Sequence, residues 1–282
     1  MATSPTVRRR RLAAELRRLR EQAGMTVQQV ADQMGCTHPK ISRIENGHRP
    51  AALGDVHMML SLYGVTGPEF DRLMALARDS RKKGWWHSYL DILSEWYATY
   101  VGLEAEAKRV RTYEAEVMPG LLQTEDYARA ITRAMLVTAS DHEVQRRVEL
   151  RMQRQQRLVD DDPIEVWAVV SEAVLRRPVG GHEVMRRQLE HLAKLAERPN
   201  VTVQVLPFAA GAHPAMAGPF VILEFPEPMD PDVVYLETQV GGLYLEESSE
   251  IDSYRRIMEH LCATATDPAA TVSTIRQIAK EL

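Results

Sequence analysis

Through the first eighty positions apolar residues recur at three- and four-residue steps in short runs separated by glycines. Leu12, Leu16 and Leu19 form the stripe of a first helix from about Arg10, which Gly24 ends where a left-handed cap is expected. Thr26-Val27-Gln28-Gln29 has the form of a capping box. Behind it Val27, Val30, Ala31 and Met34 supply one apolar face before Gly35 stops the second helix. A third helix is predicted from Thr37 to Asn46, closed by Gly47, with Pro39 in its first turn and Ile41 and Ile44 pointing inward. A fourth runs from about Leu53 to Tyr63 before Gly64. A fifth opens on another capping box, Thr66-Gly67-Pro68-Glu69, and buries Phe70, Leu73, Met74 and Ala77. The pattern is that of a small all-α domain.

A basic and aromatic stretch, Arg81-Lys82-Lys83-Gly84-Trp85-Trp86, follows, and the pattern then becomes mixed. Strands are predicted near Arg109 to Val117, Ile164 to Ser171, Val201 to Pro207, Phe220 to Phe225 and Val233 to Glu237. Helices are predicted at about Glu125 to Leu136, Asp141 to Val159, His182 to Glu197 and Ser249 to Ala263. The reading is an all-α five-helix domain over residues 1–83 and an α+β domain over 84–282, joined by a short linker. In the second, Pro119 to Thr124 reads as a turn holding the leucine pair Leu121 and Leu122, with Thr124 capping the next helix. On the helix from Asp141, the stripe is Val144, Val148, Met152 and Val159; Arg146, Arg147, Arg154 and Arg157 share a flank that reads as a solvated face.

Charge sharpens the division. Residues 1–83 hold 15 Lys and Arg against 8 Asp and Glu, a net of +7, whereas 84–282 hold 20 against 31, a net of -11. The basic part is suited to nucleic acid, and the acidic part would be repelled by phosphate. No stretch approaches the roughly 20 apolar residues of a membrane span, and the N-terminus lacks an apolar signal core, so a cytoplasmic protein with no membrane partner is expected. Cys36 and Cys262 have no metal-ligand spacing and read as two reduced thiols. The nine histidines make no His-x-x-x-His pair, so neither a metal nor a cofactor is expected.

The string GMTVQQVADQMGCTHPKISRIENG, with Leu16, Leu19 and Arg20 before it and Arg49-Pro50 after it, closely resembles the phage-repressor-like (XRE-type) helix-turn-helix. The resemblance implies that two short helices joined by a tight turn at Gly35-Cys36 place the second, opening at Thr37, in the major groove of double-stranded DNA. With Ile41 and Ile44 inward, a 100° step per residue turns Pro39, Ser42, Arg43 and Asn46 away from the core, flanked by His38 and Lys40. Arg43 is the candidate for bidentate recognition of guanine. His38, Lys40 and Ser42 are candidates for base edges or phosphates, and His48 and Arg49 for the backbone. The N-terminal ends of the second and third helices add free N–H groups. The resemblance also implies a structural ion pair between Arg20 and Glu45. One departure is Val27, where the family usually carries a DNA-contacting Gln.

The strings YEAEVMPGLLQTEDYARAI, SEAVLRRPVGG, QLEHLAKLAERPNVTVQVLPFAAGAHPAMAGPFVILEF and VVYLETQVGGLYLE resemble the C-terminal domain of unknown function of many actinobacterial XRE-type regulators. The resemblance implies a homodimeric, sequence-specific transcriptional regulator, its second domain serving dimerisation or binding a small-molecule effector or a small partner protein. An antitoxin-like protein that neutralises a small neighbour is the alternative. A self-cleaving repressor or a hydrolase fusion has less support. Beyond residue 83 only Lys108, Lys194 and Lys280 occur, none beside a serine, and no Gly-x-Ser-x-Gly, His-Glu-x-x-His or P-loop is present, so no enzyme is expected.

Overall fold

The computed structural model describes residues 5–47, 51–226 and 230–282, which form two compact units, one running to His87 and the other starting at Ser88. The first unit contains α1 (Pro5–Gln22), α2 (Val27–Gln33), α3 (His38–Glu45), α4 (Leu53–Leu62) and α5 (Gly67–Asp79). The first helix begins earlier than its leucine stripe, because arginine is a good helix former and nothing in Arg8–Arg11 breaks it. Leu16, Val30, Ile41, Val56, Leu60 and Leu73 meet in one buried cluster, so every helix contributes to the same core. The capping box at Thr26 forms in both directions: its hydroxyl accepts the Gln29 N–H at 3.2 Å, and its own N–H donates to Gln29 Oε1 at 2.8 Å. The box expected at Thr66 does not form. Thr66 is the N-cap but its side chain accepts nothing. Gly67 takes φ +64°, a conformation that only glycine adopts cheaply, and Glu69 turns to Arg18 at 3.4 Å.

The second unit is built on one six-stranded sheet: β1 (Arg109–Glu114), β2 (Glu165–Ser171), β3 (Val201–Leu206), β4 (Phe220–Glu224), β5 (Val233–Thr238) and β6 (Gly241–Leu245). The order is β3-β2-β1-β4-β5-β6. The first three strands of the chain run parallel, and β4, β5 and β6 add antiparallel neighbours. Parallel pairing needs long crossovers. Between β1 and β2 these are α7 (Glu125–Met135) and α8 (Asp141–Gln155); between β2 and β3 they are α9 (Glu172–Arg176) and α10 (His182–Leu195). The helix α11 (Ser248–Thr264) packs on one face, where Tyr113, Val169, Phe220, Ile222 and Val234 join Ile251, Met258 and Leu261. The unit is completed by α6 (Glu95–Glu104) ahead of the sheet and α12 (Pro268–Glu281) at the end of the chain.

Two expectations for the helix from Asp141 fail. It ends at Gln155 and continues as a 3-10 turn over Gln156–Leu158. The tighter winding brings Leu158 under cover in place of Val159, which is 57% exposed. Its arginine flank is not uniformly solvated either. Arg146, Arg147 and Arg157 pair with Asp91, Glu143 and Asp160, but Arg154 is buried against Glu104. Thr124 caps α7 by accepting the Tyr127 N–H at 3.3 Å, and Leu121 and Leu122 are buried. Among the described residues no helix is long and apolar enough to cross a membrane.

Candidate nucleic-acid interface

Gly35, at φ +62°, turns the chain between α2 and α3 so that two short helices share one core face. Val30 and Ala31 of α2 and Ile41 and Ile44 of α3 lie in the buried cluster, which fixes the rotation of α3 about its axis. Four positions follow as exposed: His38, Pro39, Lys40 and Arg43. Ser42 is half-buried, and Asn46, just past the helix, is exposed and donates to Ser42 Oγ at 3.3 Å. Thr37 is an exposed N-cap whose hydroxyl accepts no hydrogen bond from the helix, which leaves the N–H groups of the first turn without a side-chain partner. Arg49 and His48 lie outside the described residues.

The charges on this surface are unevenly committed. Lys40 Nζ donates to Asp55 Oδ1 at 2.7 Å, and this bond holds the ammonium above its ordinary pKa. Asp55 stands in the first turn of α4, where the helix dipole favours a carboxylate. Arg43 makes no ion pair or hydrogen bond among the described residues, so its fork of five donors is available to a ligand. Several other cations of the unit pair with its own carboxylates: Arg17 with Glu21, Arg18 with Glu15 and Glu69, and Arg8 with Asp79.

Behind the surface, Arg20 clamps α3 to α1. Its Nε donates to both carboxylate oxygens of Glu45 at 2.9 and 3.0 Å, and Nη1 donates to the Met25 carbonyl at 2.8 Å. The Glu45 side chain is 4% exposed, so its charge is compensated almost wholly by Arg20. Tyr63 sits beside the pair with a buried hydroxyl that makes no hydrogen bond, and burial, with Glu45 close by, pushes its pKa up.

Sequence reasoning missed two features here. Asp55 is one, because its contact with Lys40 depends on how α4 folds back on α3. Gln28 is the other: it is exposed in the first turn of α2 and donates to Asp32 Oδ1 at 2.7 Å, whereas Val27 packs against the core. The polar side chain next to Val27 was the available signal.

Residues 11–73 match a family model described as a helix-turn-helix domain, which points to DNA binding and transcription regulation. No curated protein and no solved structure matches the chain. Residues 97–277, more than half of the sequence, match the model described as a domain of unknown function, DUF5753. The chain is therefore a member of the DUF5753 family that carries a helix-turn-helix domain ahead of the family's own region.

Proposed function

We propose that the protein is a sequence-specific transcriptional regulator of the XRE type, as found in actinobacteria, that acts in the cytoplasm as a homodimer and by binding rather than catalysis. The observation that carries this reading is the uncommitted Arg43 on the outer face of α3, with Ile41 and Ile44 holding the opposite face in the core. A helix so fixed can lie in the major groove with Arg43 aimed at guanine O6 and N7. Thr37, His38, Lys40, Ser42 and Asn46 surround it and are the proposed supporting contacts, with Arg49 on the backbone. A single module of this kind makes a small contact, and paired half-sites about 34 Å apart require two modules at fixed spacing. The acidic second unit is the proposed source of that pairing and of effector or partner binding.

Selection of duplexes from a random pool by the full-length protein tests this. A palindromic or directly repeated motif is expected, and Arg43→Ala should relax one base position per half-site. Enrichment of no motif, or the same motif from the Arg43→Ala protein, would overturn the reading.

A further inference from the structure

The register of the sheet brings two carboxylates to one place. Thr112 of β1 pairs with Val221 of β4, and Val221 pairs with Tyr235 of β5, so the three stand in a row. Alternate residues of a strand share a face. Glu114 and Glu237, each two residues beyond that row, therefore stand on its face and at the same end, because β1 and β5 are both antiparallel to β4. Together with α6, the Pro119–Thr124 turn, α7 and α8 they line a cavity of about 670 Å³. That volume is in the range of small-molecule sites.

The cavity wall is aromatic. Tyr100 stacks on Tyr235 with ring centroids 4.5 Å apart, Tyr97 stacks on Tyr100 at 5.7 Å, and Trp96 lies edge-on to Tyr97 at 5.8 Å. Tyr235 is 2% exposed, and its hydroxyl lies against the Glu237 carboxylate, the group whose charge acts on it most strongly.

The balance of charge decides what such a ligand is. Three arginines of α8 reach the cavity, but two are already spent: Arg154 on Glu104 and Arg147 on Glu143. Arg151 donates to the neutral Gln123 amide oxygen at 2.7 Å. Opposite them, Glu114 has a 3.5 Å contact with the Thr112 hydroxyl, Glu237 stands against the Tyr235 hydroxyl, and among the described residues neither carboxylate is in a salt bridge. Two carboxylates outside any salt bridge thus face one guanidinium, that of Arg151, that is likewise outside one. Burial, reinforced by Glu237, pushes the Glu114 carboxyl up to about 8, a shift that a cation beside the two carboxylates would oppose.

We propose that this cavity binds a small organic cation, a protonated amine on a flat apolar body, with its ammonium between Glu114 and Glu237 and its body against Trp96, Tyr100 and Tyr235. The rings supply stacking area and a negative face for the cation, and the carboxylates supply charge-assisted acceptors. An anion would meet the Glu237 carboxylate and the Glu114 carboxyl with only the Arg151 guanidinium to set against them.

Thermal unfolding of the full-length protein without DNA tests the site independently of any operator. The probes are three molecules of one shape at millimolar concentration: tyramine, 4-ethylphenol and 3-(4-hydroxyphenyl)propionate. Tyramine should raise Tm by about 3 °C, the neutral and anionic probes by none, and the shift should vanish in a Glu114→Gln/Glu237→Gln double variant that unfolds no earlier than the parent. The proposal is overturned by a larger shift with the propionate, by equal shifts with tyramine and ethylphenol, by no shift with any probe, or by a tyramine shift that survives in the double variant. The three-probe comparison on the parent protein stands even if that variant does not fold.

Discussion

Arg154 donates from Nε and Nη2 to the two carboxylate oxygens of Glu104 at 2.6 Å each, and neither side chain is more than 5% exposed. The guanidinium also donates to the Tyr97 hydroxyl at 2.6 Å and lies 5.3 Å from the centre of the Tyr100 ring. One residue of α8 thereby anchors α6 through a charge and two aromatic rings. Glu104→Ala strands the guanidinium in an apolar place and should destabilise the second unit by about 3 to 5 kcal/mol, whereas replacing both partners by Met should cost much less. Urea unfolding of the full chain distinguishes the two, and equal losses would show that packing, not the pair, holds α6.

The first unit contains the same logic at Arg20 and Glu45. Arg20→Ala leaves Glu45 buried with Tyr63 as its polar neighbour, and a loss of about 3 kcal/mol is expected. The role is stability, so DNA bound well below the melting temperature should keep its sequence preference. A variant that melts like the parent but has lost that preference would make Arg20 part of the recognition surface instead.

The extent to which the chain was legible follows from how local each determinant is. The helix α3 could be read because Pro39, Ile41, Ile44 and Gly47 act within ten residues of one another. The Arg154 pair could not, since Glu104 is 50 residues away and an arginine on a polar flank looks solvated. Four elements escaped the periodicity reading: α6, α9, β6 and α12. In α6, apolar Trp96, Tyr97, Ala98, Tyr100, Val101 and Leu103 spread over more than half of the circumference, so no narrow stripe stands out. Before β6 the chain reverses through Gln239 and Val240, which have none of the glycine or asparagine chemistry of a two-residue hairpin. The paired acids of the cavity required the strand register, which single-strand patterns do not contain.

The commitment of Lys40 to Asp55 gives a prediction about salt. While that bond persists, one cation of the α3 face is neutralised and a carboxylate stands close to the proposed phosphate path. Asp55→Asn frees the ammonium and removes the opposing charge. The affinity of the full-length protein for duplex DNA should rise, and the slope of log K against log salt should steepen by about 1. Arg43→Ala, in contrast, should lower discrimination between operator and mismatched duplex by about 1 to 3 kcal/mol. Anisotropy titrations at several salt concentrations measure both. An unchanged slope for Asp55→Asn would mean that Lys40 does not reach phosphate.

The acid pair of the second unit makes stability depend on pH in a direction opposite to that of ordinary ion-paired carboxylates. Glu114 is held up to about 8 in the folded chain, against about 4.3 for a glutamate in an unfolded one. Between those values the folded state keeps a proton that the unfolded state has released, so stability falls as pH rises through this window and levels off above it. The groups acting on Glu114 are Glu237 of β5, which raises its pKa, and Thr112 of β1 and Arg151 of α8, which lower it; Tyr127 of α7 also feels its charge. Glu237, an exposed residue whose carboxyl is nonetheless crowded by the cavity wall, is shifted upward too and adds to the same slope. Glu114→Gln should therefore melt with the parent near pH 4 and above it at pH 8.5. For the parent, tyramine should bind more tightly at pH 8 than at pH 6, because at the lower pH the cation must displace a proton to reach the carboxylate. Calorimetry at the two pH values, in buffers of different ionisation heat, should show a proton released on binding at pH 6 and fewer at pH 8. Affinity that is flat or that falls over this range would detach the ligand from Glu114, and a parent that gains stability over the Glu114→Gln protein as pH rises would show that the carboxylate is paired in the folded state.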